Sequence, residues 1–292
     1  MSDSGKPHPK TTLLIGFDSS WTPKNRGAII GVIRKHDGTF RELDQPQMAN
    51  FTEAANVISE WRRSERPAVT IVLLDQPTIV KNATGQRPVE NIVASPVSLR
   101  YGGMQPASIS RAEMFGPSAP VWQFLNQFGG AADPLSSTAD TKVFETYPVL
   151  AMMALEWVLP DTRVTGRLPK YNPKRRKTFS IDDWRYVCEQ LSDEIAGRDL
   201  SMLSAWIIKM KSNPSPSKAD QDCLDACICL LVALHLAEFK DCLMVGDTDT
   251  GYIVAPLGDG LRGELVDRCG KTNRDPSKWV RILNLNAVQQ SA

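Results

Sequence analysis

Apolar positions along the chain fall into two periods. Thr12-Leu13-Leu14-Ile15-Gly16-Phe17 and Val69-Thr70-Ile71-Val72-Leu73-Leu74 are short, nearly unbroken apolar runs, the pattern of strands buried on both faces. Between them, Ala28-Ile29-Ile30-Gly31-Val32-Ile33 reads as a strand, His36-Asp37-Gly38 as a tight turn and Thr39 to Leu43 as the returning strand. Phe51, Ala54, Val57, Ile58 and Trp61 sit at helical spacing, which predicts an amphipathic helix over 52–63, ended by Pro67. Thr141-Lys142-Val143-Phe144 predicts a fifth strand, and Pro148 then opens a helix through Trp157. Residues 180–211 read as two helices, the first opened by Ser180-Ile181-Asp182-Asp183. A capping box at Ser217-Lys218-Ala219-Asp220 starts another that runs to about Lys240. Tyr252-Ile253-Val254-Ala255 is a late short strand.

The order of these elements predicts an α/β domain. A hairpin gives antiparallel neighbours, and the helix after the third strand lets the fourth lie parallel to the first. The organisation expected is a flexible tail at 1–10 and a domain over 11–257, with a weakly patterned C-terminal extension at 258–292. Within the domain, 76–109 reads as a long loop rich in Pro, Gly, Asn and Ser, placed to cover a site, and 149–216 as a helical and basic insertion.

Composition narrows the function. The 292 residues carry 34 Lys+Arg against 33 Asp+Glu, a net charge of +1, which argues against holding nucleic acid by net charge alone. The longest apolar stretch, Cys223 to Ala237, contains Asp225 and His235 and is too short to span a bilayer. Six Cys with no CxxC pair and no secretion signal predict reduced thiols in a cytoplasmic protein, with Cys223, Cys227 and Cys229 as core residues. Three His leave few members for a histidine zinc site or a Ser-His-Asp triad.

The acids carry more information. Three apolar runs end in a carboxylate, at Asp18, Asp75 and Glu145, and ligands of parallel sheets bind beyond the carboxyl ends of strands. Acids are also common turn residues, so any one of the three alone says little. Asp222 and Asp225 lie i, i+3 on one face of a helix that is otherwise nearly all apolar. A carboxylate on such a face needs a partner. After Lys218 that helix has no Lys or Arg until Lys240, which leaves a cation as the simplest partner. Converging carboxylates suit Mg²⁺ or Mn²⁺, two of which would support phosphodiester cleavage without a histidine. On the substrate side, Arg163, Arg167, Lys170, Lys174, Arg175, Arg176 and Lys177 place seven cations within fifteen residues, with Tyr171 and Phe179 available for stacking. A solvated basic loop is the other reading. Arg87 and Arg100 in the long loop are further phosphate-binding candidates.

The motifs Gly16-Phe17-Asp18, Asp75-Gln76-Pro77, Glu145-Thr146-Tyr147-Pro148, Asp222-Cys223-Leu224-Asp225-Ala226 and Gly251-Tyr252-Ile253-Val254-Ala255-Pro256, in this order over residues 12–257, resemble the domain-of-unknown-function 429 family. Its members are predicted nucleases with a ribonuclease H-like fold. The Asp-x-x-Asp helix is similar to that of the Holliday-junction resolvase branch of that fold. The resemblance implies a central mixed five-stranded sheet in the order 3-2-1-4-5, flanked by helices. It also implies a divalent-metal-dependent nuclease acting on DNA or RNA: Asp18 bridges two ions, Asp75 and Asp225 each hold one, and Asp222 or Glu145 completes the shells. The chain departs from the family at Gln221, where an acid is usual, and the charged segment after the fourth strand survives only as Arg87 and Glu90. Two rival readings remain: a non-catalytic nucleic-acid or protein adaptor on the same fold, and an actin-like phosphotransferase using Gly246-Asp247-Thr248-Asp249-Thr250-Gly251.

Overall fold

A computed structural model describes residues 11–135 and 139–285; the expected tail at 1–10 and the end of the extension, 286–292, lie outside them. The chain runs β1 (Thr12–Asp18), β2 (Gly27–Arg34), β3 (Phe40–Glu42), β4 (Gln47–Ala49), α1 (Phe51–Glu65), β5 (Val69–Leu74), α2 (Pro88–Arg100), α3 (Ala112–Phe115), α4 (Pro120–Gln127), β6 (Thr141–Glu145) and α5 (Pro148–Ala154). It continues with α6 (Ile181–Ile195), α7 (Ser201–Ser212), α8 (Lys218–Ala237), β7 (Cys242–Asp247), β8 (Gly251–Pro256), α9 (Asp259–Lys271), α10 (Pro276–Trp279) and β9 (Val280–Leu283).

The central sheet is mixed. Its path is β3-β2-β1-β5-β6, antiparallel from β3 to β1 and parallel from β1 to β6, and the short β4 also pairs with β2. The sheet therefore has six strands, not the expected five, and the extra β4 changes the order from the expected 3-2-1-4-5. β4 is three residues long, too short for its alternation to register as a strand.

Two further expectations fail. Residues 76–109 are not a continuous loop, because α2 occupies their middle. Its Val89, Ile92, Val93, Pro96 and Val97 are buried at helical spacing, a stripe partly hidden among prolines and polar residues. Pro88 sits in the first turn, where its missing N–H costs nothing. The segment after 257 is not a weakly patterned tail either. It folds into α9, α10 and β9, and β9 joins β7 and β8 in an antiparallel three-stranded sheet. That second sheet adjoins the first through a parallel bridge between Thr146 and Val254.

α8 is the core of the molecule. Every residue from Gln221 to Ala237 is buried. It lies against the face of the sheet that carries Leu14, Ile30, Val32, Ile71, Leu73 and Phe144. Leu13, Ile15, Phe17, Ile29, Val72, Leu74 and Val143 point the other way, toward α1 and α4. Close approach depends on Gly16: a Cβ there would fall 2.1 Å from the Ala226 carbonyl oxygen and 2.4 Å from the Leu230 nitrogen. The bare backbone of β1 lets the helix settle directly onto it. Among the described residues no helix is long and apolar enough to cross a membrane, and all six cysteines are free and buried.

Candidate metal centre and adjoining cavity

Strand alternation aims the first two acids. Successive side chains of a strand leave opposite faces, so Asp18 continues the Leu14–Gly16 row and Asp75, just past β5, continues the Ile71–Leu73 row. Both rows face α8. The parallel register sets Phe17 beside Leu74, and the Asp75 N–H donates to the Phe17 carbonyl at 2.9 Å, which locks the two acids side by side. From above, the first turns of α8 bring down Asp222 and Asp225. Asp18, Asp222 and Asp225 are buried, and each offers a carboxylate oxygen within 4.8 Å of the other two. These three acids could hold a metal ion. Asp75 stands next to this trio without joining it.

The trio has a built surround. Tyr171 donates its hydroxyl to Asp225 Oδ1, and Gln221 Nε2 donates to Asp225 Oδ2 at 2.8 Å. Lys218, one turn before Asp222, pairs with it through Nζ. Gln221 Oε1 is buried and lacks a hydrogen-bond partner in the protein, a costly condition unless a ligand or water reaches it. On the other side Trp21 donates its indole N–H to the Asp75 carbonyl at 2.9 Å. Trp21 holds φ at +59°, a conformation that costs a bulky residue energy and clusters at functional sites.

Electrostatics register the crowding. Burial pushes the Asp18 and Asp75 carboxyls well above the usual range, and the nearby charge of Asp225 adds to it in both. Burial also lifts Asp225 to about 6, against the opposing pull of Lys218 and the Tyr171 hydrogen bond. Lys218 responds in reverse: burial works against its charge, but Asp225, Asp18 and Asp222 together raise it. Burial and mutual repulsion therefore favour the protonated forms of these acids, the opposite of what a bound metal favours.

A cavity of about 410 Å³ opens over these acids. Trp21, Tyr101, Tyr147 and Tyr171 contribute aromatic walls, and Lys174 and Arg175 contribute cations. Arg175 lies 5.6 Å from the centre of the Tyr101 ring.

The structure redistributes the remaining predicted residues. Glu145 and Arg87, expected as a catalytic acid and a phosphate binder, border the cavity but are paired with each other. Arg87 is 1% exposed and donates to Glu145 at 2.6 and 2.8 Å and to Glu90 at 2.8 Å; the Thr78 N–H donates to Glu145 as well. Burial works against the Arg87 charge, but Glu145 and Glu90 outweigh it and raise its pKa. The alternation of β6 explains the placement: Glu145 follows the Val143 row, which leaves the sheet away from α8. Arg100 pairs with Glu264, Arg163 with Asp161 and Arg167 with Asp183. Lys170 donates to the Tyr101 carbonyl at 2.6 Å. The basic segment is therefore not a continuous track: Lys174 and Arg175 border the cavity, while Arg176 is exposed beyond it.

Five residues of the site were not expected, Trp21 among them. Lys218 was noted only as the start of a helix, although i, i+4 spacing to Asp222 marks it as a partner. Gln221 stood only as a departure from a family pattern. Tyr101 and Tyr147 carried no signal short of the folded cavity. Residues 16–247 match the family model described as protein of unknown function (DUF429), and the chain belongs to that family. No curated protein and no solved structure matches the chain.

Proposed function

From a member of the DUF429 family with this cluster at the carboxyl ends of its parallel strands, we propose a divalent-metal-dependent nuclease on a ribonuclease H-like fold. The observation that carries the proposal is the convergence of Asp18, Asp222 and Asp225 beneath a cavity that also presents Lys174 and Arg175. The donor set fits the metal. Carboxylate oxygens are what Mg²⁺ and Mn²⁺ select, and the unpartnered Gln221 Oε1 would be available to accept a hydrogen bond from a group that accompanies the ion. Asp18, Asp222 and Asp225 would hold one ion, and Asp75 beside Asp18 offers the oxygen for a second. A bound ion supplies an activated water and neutralises charge on the phosphoryl group.

The chain's own groups do the positioning. Tyr171 and Gln221 fix both oxygens of Asp225, so it presents its remaining lone pairs in one orientation. Lys218 neutralises Asp222 and would give way to an arriving ion. Lys174 and Arg175 draw the phosphate in from the cavity side. Asp18→Asn is expected to abolish Mn²⁺-dependent cleavage of oligonucleotides and to weaken Mn²⁺ binding in calorimetry, with the melting temperature maintained. A variant that keeps its fold and still cleaves at the wild-type rate would overturn the assignment.

A further inference from the structure

We propose that the site takes single-stranded nucleic acid, seating one nucleotide in the cavity against its tyrosines. The inference rests on the phosphodiester reading and adds the class of substrate. Its first support is shape. The acids lie at the floor of a pocket of about 410 Å³, the scale of a small-ligand site rather than of a groove for a double helix. A duplex seats one nucleotide in such a pocket only by giving up its base pair, whereas a single strand has no pairing to break.

The second support is the nature of the walls. Trp21, Tyr101, Tyr147 and Tyr171 converge on the space, and aromatic faces bind unpaired bases whatever their sequence. Tyr101 is already packed against cations, with Lys170 5.0 Å and Arg175 5.6 Å from its ring centre. That arrangement fixes the ring beside the group that would meet a phosphate.

The third is the supply of charge. Proteins that grip duplex backbones neutralise roughly six to ten phosphates. Here Arg87, Arg100 and Arg167 are committed to buried or half-buried carboxylates, Lys170 to a carbonyl, and Arg163 to Asp161 at the surface. Among the described residues, Lys174 and Arg175 are the members of the basic segment that border the cavity. The other cations of the lining, Arg26, Arg87 and Lys218, are paired with Glu53, Glu145 and Asp222, which leaves Lys174 and Arg175 to meet one or two phosphates of a single strand.

The test is fluorescence anisotropy of the full chain in Ca²⁺ with labelled single-stranded DNA, single-stranded RNA and a duplex of equal length. Single strands are expected to bind at least about tenfold more tightly than the duplex. For two phosphate contacts the slope of log affinity against log salt should be about −1.4, falling to about −0.7 in Arg175→Ala. Tyr101→Ala should weaken single-strand binding by about tenfold, and Tyr101→Phe, which keeps the ring, should restore it. The DNA and RNA arms tell the two sources of the same backbone chemistry apart. Duplex binding as tight as single-strand binding, an unaffected Tyr101→Ala or no binding at all would overturn the inference. Single-strand binding as described with no cleavage in Mn²⁺ would instead overturn the nuclease reading and leave this one standing.

Discussion

Asp225 feels the whole cluster at once. Burial raises its carboxyl to about 6 from an ordinary 3.8, so the folded protein holds a proton that the unfolded chain releases. A raised pKa contributes stability below the unfolded value and loses it as pH climbs through the folded value. In chelator, the melting temperature of the wild type relative to Asp225→Asn should therefore fall between pH 4 and pH 7. With excess Mn²⁺ replacing the proton, that decline should disappear. A difference that stays flat with pH in chelator would contradict the buried assignment. Arg87 supports a second expectation at this scale. Its guanidinium satisfies two buried glutamates, so Arg87→Met should cost about 3–5 kcal/mol in denaturant unfolding by stranding their charges. A phosphate-binding arginine would instead change substrate affinity with little effect on stability. Counting by twos along the sequence puts Asp18 with Leu14, Asp75 with Ile71 and Glu145 with Val143, but the register of the strands was needed to set the Val143 row on the opposite face. What the sequence did not contain was the partner, since Arg87 is 58 positions away and charged residues in loops are ordinarily solvated.

The seam between β1 and α8 positions the site. Asp222 and Asp225 stand where they do because Gly16 lets the helix backbone touch the strand. Gly16→Ala must push backbone against backbone, and overpacking of this kind costs about 1–3 kcal/mol. The displaced helix would carry its two acids with it, so Mn²⁺ affinity in calorimetry should fall together with stability. Gly263→Ala is the control. It lies in α9 with nothing within 4 Å of an added Cβ, and should leave metal affinity unchanged while stabilising the helix by about 1 kcal/mol. Lys218 argues the reverse case. Lys218→Met removes the cation that pairs with Asp222, so divalent ions should bind more tightly to the variant; weaker binding would mean that Lys218 orients the site more than it competes for it. At this scale the long regular elements were legible. α1 (Phe51–Glu65) and α8 (Lys218–Ala237) were anticipated to within a few residues, because their apolar spacing or caps are strong. α2 and β7 were not, since Pro88 and Pro96 interrupt one and Gly246 closes the other.

Across the whole molecule, the near balance of 34 basic and 33 acidic residues conceals a sorting. Four aspartates gather on one side of the central sheet, while three of the seven cations of the basic segment, Arg163, Arg167 and Lys170, are held by partners within the chain. The same scale shows where the fold ends. The family match stops at residue 247, yet β7, which closes it, is the middle strand of a sheet whose far edge is β9. α9 meanwhile packs against α2, with its Leu261, Leu265 and Cys269 in the core. It is pinned there by Glu264, which accepts from Arg100, and by Arg268, which donates to the Asn91 carbonyl. α2 carries Arg87 at its start and leads into Tyr101, so the last elements reach the cavity through it. A chain cut after residue 257 should consequently lose more than an appendage. It would expose apolar surface of α2 and β7 and leave β7 with a free edge. The expected result is a lower melting temperature, binding of an apolar dye and weakened single-strand affinity, even though every candidate ligand residue is retained. If the shortened chain melts at the wild-type temperature and binds as before, the second sheet is an independent unit and the cavity needs none of it.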